Sequence, residues 1–506
     1  MIETERPKPF SSAAGAPKDH EAEVLSSARL SRRLASALPL TGLGSVVTMA
    51  VSTLAGIAVA RNGGPLGYAV FVAANMLVFV SSVLCSFGLP LALAKHVAAE
   101  EEVGRHEALR RSSTTMILCL LLITLISGLA LSVNLWRLEE HLHITIGRGF
   151  AIAFPFVMLC AVISDCAQGI YFGLLRPRPV IAITASGPVI VILYILARNA
   201  GLPLPIWGAV AALYATSGLV ACYRLWRDRL LGVPSPIGEI KPILKDLAPA
   251  AVFTFFTIFS TWSDRWIVGT QLGAIAMGSY AAAGVIIQAA LRVPTHIAYL
   301  LVPASARVAL RGAEKGMRFN RSTVGIFGLC AASMTVAIML APASIVRLVF
   351  GPGFLLAAPV LLIMTPSLLT AAFSIPFISA LTGSTKNRLV ICLLGITILP
   401  RMLLLLFFTR YWSVLGTALA TVLSDSLLAL CCILFARKIG MAFPLRALAQ
   451  PYLLGVLAYG VGFATLLLGA PQLVAVAVAV LIFAPALSRC VRTIYAPAAW
   501  EAHCLD

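Results

Sequence analysis

Residues 68–94 read YAVFVAANMLVFVSSVLCSFGLPLALA, a run of 27 residues without one charged side chain. A helix rises about 1.5 Å per residue, so such a run outspans a hydrocarbon core roughly 30 Å thick. In that medium only helices or closed barrels satisfy the backbone. Thirteen more stretches of the same kind lie at 34–60, 114–135, 148–172, 180–198, 206–223, 248–272, 279–303, 324–348, 355–382, 389–409, 414–436, 451–469 and 471–489. Little polar sequence separates them. The composition agrees, at 60% hydrophobic and 11% charged residues with a mean hydropathy of +0.95. The chain reads as an all-α polytopic membrane protein of about 14 transmembrane helices.

A formal charge of +18 would suggest nucleic acid in a soluble protein. Here its placement decides otherwise. Numbered in chain order, the even links and the stretch from Arg489 on hold 23 Lys and Arg, whereas six lie at or beside the odd links: Arg61, Arg137, Arg148, Arg198, Arg347 and Arg410. Such a bias orients a membrane protein with its basic links inside. Both termini are therefore expected in the cytoplasm, with anionic lipid headgroups as incidental partners.

Residues 1–33 are polar and rich in Ala, Ser and Pro, and are expected to form a disordered cytoplasmic tail. The link 224–247 carries Pro234, Pro236 and Gly238 and divides the spans into comparable halves. Each half opens alike. Gly64-Pro65-Leu66-Gly67-Tyr68 leads into a helix ending Gly88-Leu89-Pro90, and Ala276-Met277-Gly278-Ser279-Tyr280 into one ending Leu301-Val302-Pro303. Lys95 follows Pro90 by five residues and Arg307 follows Pro303 by four. A six-span repeat preserves orientation, so the halves are expected to be related by an axis along the membrane normal. The expected organisation is a lobe at 34–223, a linker at 224–247, a second lobe at 248–436, helices 13 and 14 within 437–489 and a cytoplasmic tail at 490–506. The eleven cysteines lie mostly within spans and show no C-x-x-C pair. They read as packing residues, and the sequence implies neither a metal nor a cofactor.

Polar groups within spans carry the functional signal, because a charge at a helix centre costs about 2.5–3.5 kcal/mol on insertion scales and normally faces an interior or a wet cavity. Three stripes recur at helical spacing: Thr41, Ser45, Thr48 and Ser52 on span 1; Thr254, Thr257, Thr261, Asp264 and Gln271 on span 7; and Gln288, Arg292 and His296 on span 8. Spans 1 and 7 hold equivalent places in the two halves, as a cavity between lobes requires. Packing remains the plainer alternative, since Ser and Thr often bond their own helix and His296 alone suits a helix contact. Asp264 and Arg265 are adjacent and cannot both face one cavity. Further intramembrane charges are Asp165 beside Gln168, Arg401 and Asp425. Arg401 and Asp425 suit an internal ion pair as well as substrate contact.

The segment Trp262-Ser263-Asp264-Arg265-Trp266-Ile267-Val268, followed by Leu272-Gly273 and Met277-Gly278-Ser279-Tyr280, resembles the seventh span of the polysaccharide transporters in the multidrug/oligosaccharidyl-lipid/polysaccharide flippase superfamily. Arg61-Asn62-Gly63-Gly64-Pro65-Leu66-Gly67-Tyr68, Phe350-Gly351-Pro352-Gly353-Phe354 and Gly416-Thr417-Ala418-Leu419-Ala420 match the same branch in order, over roughly residues 34–440. The resemblance implies two pseudo-symmetric six-helix bundles around a central cavity with alternating access. It also implies a flippase that moves an undecaprenyl-diphosphate-linked O-antigen or exopolysaccharide unit from the cytoplasmic to the outer leaflet of a bacterial inner membrane, with a polysaccharide polymerase and export machinery as partners.

On that reading Arg292, helped by Arg265 or Arg401, holds the diphosphate, because a planar guanidinium binds two oxygens at once. The Ser, Thr and Gln faces and His296 meet the cargo, and Asp165 and Asp425 are the candidate ion-coupling acids. A membrane enzyme is disfavoured: no outer link exceeds about a dozen residues, and neither D-x-D nor H-E-x-x-H occurs. ATP-driven pumping lacks a phosphate loop. The closer rival is a multidrug cation antiporter of the same superfamily, against which the basic face of span 8 argues.

Overall fold

A computed structural model describes residues 17–234, 241–291, 313–383, 387–438 and 446–495. Among the described residues there is no strand, and the chain is built from helices joined by short turns. The N-terminal half comprises α1 (Pro17–Ser86), α2 (Leu89–Val103), α3 (His106–Val133), α4 (Leu135–Leu142), α5 (Arg148–Gly173), α6 (Pro177–Asn199) and α7 (Trp207–Arg227). The second half comprises α8 (Lys241–Leu272), α9 (Ala274–Leu291), α10 (Ala313–Leu340), α11 (Pro342–Val349), α12 (Ala357–Met364), α13 (Ser367–Gly383) and α14 (Asn387–Lys438). Two helices close the chain, α15 (Arg446–Leu467) and α16 (Gln472–Tyr495).

Each apolar stretch of the sequence falls on helix wherever it is described. Among the described residues eight helices are long and apolar enough to cross a membrane, ten when each of two bent pairs counts as one span. Two of the long helices are each divided by a break. Gly64, at φ 61°, separates the first span of α1 from the second, and Trp412 and Ser413 do the same in α14. Glycine at a positive φ avoids the Cβ clash that other residues meet there. In the second half the equivalent joint is Gly273, at φ 82° between α8 and α9.

The repeat extends to lengths. The short helices α4 and α11, which follow α3 and α10, both run eight residues. α5 is matched by α12 with α13, and α6 and α7 by the two parts of α14. The protein is thus two pseudo-symmetric six-helix bundles with two further helices. Those last two pack on the outside of the second bundle, α15 on α10 and α16 on both. The Tyr452 hydroxyl on α15 donates to the Leu369 carbonyl on α13 at 2.8 Å.

Several expectations need correcting. Helix α1 begins at Pro17, so the part of the expected tail from there to residue 33 is helical. Its Glu, Ala, Leu and Arg are strong helix formers, which outweighs the want of apolar periodicity. Span 9 is not one rod from 324 to 348: α10 stops at Leu340 and α11 turns away by 88° at Pro342. Span 10 bends by 46° between α12 and α13, where Pro366 lacks the N–H that a continuous helix needs. Helix α16 runs on to Tyr495, beyond the expected boundary at 489. Residues 1–16 and 496–506 of the expected tails lie outside the described residues, as does the second half of span 8.

The face opposite the basic links joins the two bundles tightly. Buried Ala69, Ala73 and Ala74 of α1 and Ala281, Ala282 and Ala283 of α9 belong to one core, the small-residue packing that lets membrane helices approach closely. Tyr68 packs among Phe350 and Phe354 of the second bundle, with ring centroids 6.2 and 6.0 Å away. The Arg61 guanidinium donates from Nε to the Val349 carbonyl at 2.8 Å and from Nη2 to the Leu348 carbonyl, at the C-terminal end of α11. At the basic face α2 meets α8, where a Cβ on Gly88 would come within 2.5 Å of the Ala250 backbone.

Candidate functional site

Two cavities lie between the bundles, one behind the other along the helix axes. The larger, of about 470 Å³, sits toward the basic face and is walled by α1, α2, α5 and α8. Its polar lining is Ser86 from α1, Asp165 and Gln168 from α5 and Thr254, Thr257 and Thr261 from α8. The smaller, of about 250 Å³, sits toward the opposite face among α1, α6, α7, α8 and α9. Its polar lining includes Ser52, Asn75, Arg265 and Gln288. Thr261 borders both. Beside it the Trp262 ring of one bundle meets the Phe79 ring of the other, centroids 5.7 Å apart.

The stripe on α8 carries Arg265, not Asp264, to the wall of the smaller cavity. At about 100° per residue the two positions lie about 50° to either side of the Thr254–Thr257–Thr261 line, so spacing alone could not choose between them. Packing chooses. The Asp264 carboxylate turns into the second bundle, where it accepts from the Tyr280 hydroxyl at 2.9 Å and from the Arg265 backbone N–H at 2.8 Å. Tyr280 in turn lies 3.0 Å from the hydroxyl of Thr421 on α14. Arg265 lies over the Trp262 ring, 5.1 Å from its centroid, and donates from Nη1 to the Thr261 carbonyl at 2.6 Å. The same nitrogen is 3.5 Å from Asp264 Oδ1, a buried ion pair between neighbours in sequence. The guanidinium is thereby held at the wall of the smaller cavity, with room provided by Gly284, where a Cβ would come within 3.2 Å of its Nη2.

The other expected residues sort by position. Thr48 donates to the Gly44 carbonyl at 2.8 Å and lies 3.4 Å from Thr184, at the contact of α1 with α6 rather than on a cavity. Ser52, one turn on, does line the smaller cavity. Thr41 and Ser45 lie on the same helix, but their side chains are outside the described residues, as are Arg292 and His296 altogether. Arg401 and Asp425 pair within α14 across its break, Nη1 to Oδ1 at 3.2 Å, and neither lines the two cavities. Asp165 is half-buried on the larger cavity and has no hydrogen-bond or ion-pair partner among the described residues.

The family follows from residues 39–309, which match the model of the family described as polysaccharide biosynthesis protein. The chain belongs to that family. No curated protein matches it significantly in sequence. Among solved structures it resembles the lipid II flippase MurJ in an inward closed conformation, at 14% identity and a TM-score of 0.68 over 89% of this chain and 99% of that one. It also resembles an inward-facing multidrug resistance MATE family transporter of the MOP superfamily, at 15% identity and a TM-score of 0.65 over 78% and 94%. A MOP superfamily transporter from Pyrococcus furiosus is similar at 16% identity and a TM-score of 0.55 over 79% and 95%. At these identities the likeness is one of fold. This polysaccharide biosynthesis family member is therefore a multi-pass membrane protein with the architecture of a MOP-superfamily transporter.

In this family member three polar residues of the site stand outside the stripes that the sequence singled out. Asn75 accepts from the Tyr214 hydroxyl at 3.0 Å, joining α1 to α7 at the smaller cavity. Tyr280 holds the Asp264 carboxylate. Arg61 closes the face opposite the basic links. A lone Asn in an apolar span gives no periodic signal, and Arg61 and Tyr280 stand in the family-like motifs without anything in those motifs to show what they hold. Among the described residues no group of three or more metal-ligating side chains converges.

Proposed function

We propose that the protein is a flippase that carries an undecaprenyl-diphosphate-linked oligosaccharide, an O-antigen or exopolysaccharide repeat unit, from the cytoplasmic to the outer leaflet of a bacterial inner membrane. The observation that supports this best is Arg265, a buried guanidinium at a cavity between two related bundles, deep within the membrane-spanning region. Desolvation strengthens its attraction for an anion, and its fork of N–H donors matches two phosphate oxygens at once. Asn75 and Gln288 share that cavity, and Arg292 and His296 continue the Gln288 face at four-residue spacing. Arg401, which pairs with Asp425 away from both cavities, is left a structural role.

The basic face is taken as cytoplasmic, which puts both termini there, and the Arg61–Tyr68 face as outer. Transport then consists of rocking the two bundles so that the outer contacts part while those between α2 and α8 tighten. A polysaccharide polymerase and export machinery would receive the product. A deletion strain complemented with Arg265→Gln tests the reading: lipid-linked oligosaccharide should accumulate on the inner leaflet and surface polysaccharide should fail to return. Full restoration by a variant that inserts normally would reject the role of Arg265. A deletion strain hypersensitive to cationic dyes, with its surface glycan intact, would favour the multidrug antiporter instead.

A further inference from the structure

We propose that the larger cavity is a saccharide subsite that takes uncharged sugars through their hydroxyl groups. The proposal rests on the flippase reading and assigns the other end of its cargo. The two cavities differ in hydrogen-bonding character. What sets the smaller one apart is the guanidinium of Arg265, beside the amides of Gln288 and of Asn75, whose Oδ1 accepts from Tyr214. Around the larger one the hydroxyl hydrogens of Ser86, Thr257 and Thr261 are engaged elsewhere, Ser86 donating to the Val83 carbonyl at 3.0 Å. Thr257 donates to the Phe253 carbonyl at 2.9 Å and Thr261 to the Thr257 carbonyl at 2.8 Å, so both face the cavity with acceptor lone pairs. Gln168 donates from Nε2 to Ser164. Asp165 adds two carboxylate oxygens, which only accept when ionised.

An acceptor-lined wall repels a diphosphate and suits a ligand rich in O–H groups. The same cavity presents the flat apolar rings of Phe79, Phe172 and Phe253, against which the C–H faces of pyranose rings pack. Its 470 Å³ falls within the roughly 300–1,000 Å³ of ligand pockets.

The carboxylate is not neutralised from the elements around it. Tyr214 of α7 and Cys166 lie within electrostatic reach and carry no positive charge. On α2, His96 contacts Ser112 and Lys95 is exposed. Arg111 and Glu107 of α3 pair with each other. On α6, Arg198 donates to the Leu204 carbonyl. On α1, Arg61 is held at α11, and on α8, Arg265 pairs with Asp264. A sugar bearing its own carboxylate would therefore find no cation here to pair with, and would leave its charge desolvated against acceptor oxygens.

The test measures binding to the full-length protein in nanodiscs with three probes: bare undecaprenyl diphosphate, the same lipid carrying a neutral disaccharide, and the same lipid carrying a disaccharide that contains a uronic acid. The neutral disaccharide should tighten binding roughly tenfold over the bare lipid, the scale of one hydrogen bond to a charged group. The uronic acid should forfeit that gain. Asp165→Asn, which keeps the shape, should lose most of the gain and accept both sugars alike, and Thr257→Val should lose part of it. Equal binding of bare and neutral-sugar lipid, equal binding of neutral and acidic sugars by the native protein, or an undiminished gain in Asp165→Asn would overturn the subsite and leave the flippase reading standing. Failure of all three lipids to bind would overturn both.

Discussion

Arg61 Nε, in the first bundle, lies 2.8 Å from the carbonyl oxygen of Val349, the last residue of α11 in the second. The end of a helix gathers unpaired carbonyls and the negative pole of its dipole, so a guanidinium there is doubly attracted. This contact explains why a basic residue persists on the side that is otherwise depleted of them. It fastens the two bundles on the face away from the basic links.

Arg61→Ala should loosen that fastening. Arg61 is exposed, so the loss is set at about 1 kcal/mol, a roughly fivefold shift between closed and open forms. A Cys at Ser52, on the smaller cavity, should react about fivefold faster with an impermeant maleimide added from the outer side. An unchanged rate would remove Arg61 from the closure.

Pro65 and Gly353 face each other across the same seam, a Cβ on Gly353 lying 3.6 Å from the proline ring. The double variant Pro65→Cys and Gly353→Cys should form a disulfide under mild oxidation and stop transport, with recovery on reduction. Transport that continues while crosslinked would show that the seam need not part.

Gly278 sits where α9 crosses α1, and a Cβ there would come 2.1 Å from the Pro65 carbonyl oxygen. Gly278→Ala therefore drives a methyl into backbone, which cannot swing aside. The expected destabilisation is about 1–3 kcal/mol, read as a lowered melting temperature of the purified protein. An unaltered melting temperature would contradict the closeness of the two helices.

The Arg401–Asp425 pair should behave as a structural unit. Removing Arg401 alone leaves a carboxylate within α14, whereas Arg401→Leu together with Asp425→Leu removes both charges. The double variant should be the more stable of the two, by about 1–3 kcal/mol, since Asp425 keeps a third of its side chain exposed and a fully buried orphan would lose more. Equal stability would mean that the two residues are not coupled.

The stretches of uncharged sequence were enough to place the spans and the repeat, because the bilayer permits so few structures. Helix α4 was not foreseen, as eight residues such as Leu135-Trp136-Arg137-Leu138 read simply as a polar link. The bend at Pro342 was hidden for the opposite reason: apolar residues continue through it without a break in hydropathy. In the site, periodicity put Thr257, Thr261 and Gln288 on cavity walls, yet it could not separate Asp264 from Arg265. Which of two neighbours meets a cavity depends on where Tyr280 and Thr421 stand, and those contacts cross from one span to another. Thr48 shows the same limit, since α6 covers the part of α1 that carries it.

The most direct measurement is movement of the cargo itself. Proteoliposomes containing the purified protein and undecaprenyl diphosphate linked to a neutral disaccharide, placed on one leaflet, would be sampled with a lectin that reads only the other. The native protein should bring the sugar to the lectin, and Arg265→Gln should slow its arrival at least tenfold while inserting normally. A native protein that leaves the sugar where it began, or an Arg265→Gln variant that moves it at the native rate, would contradict the account.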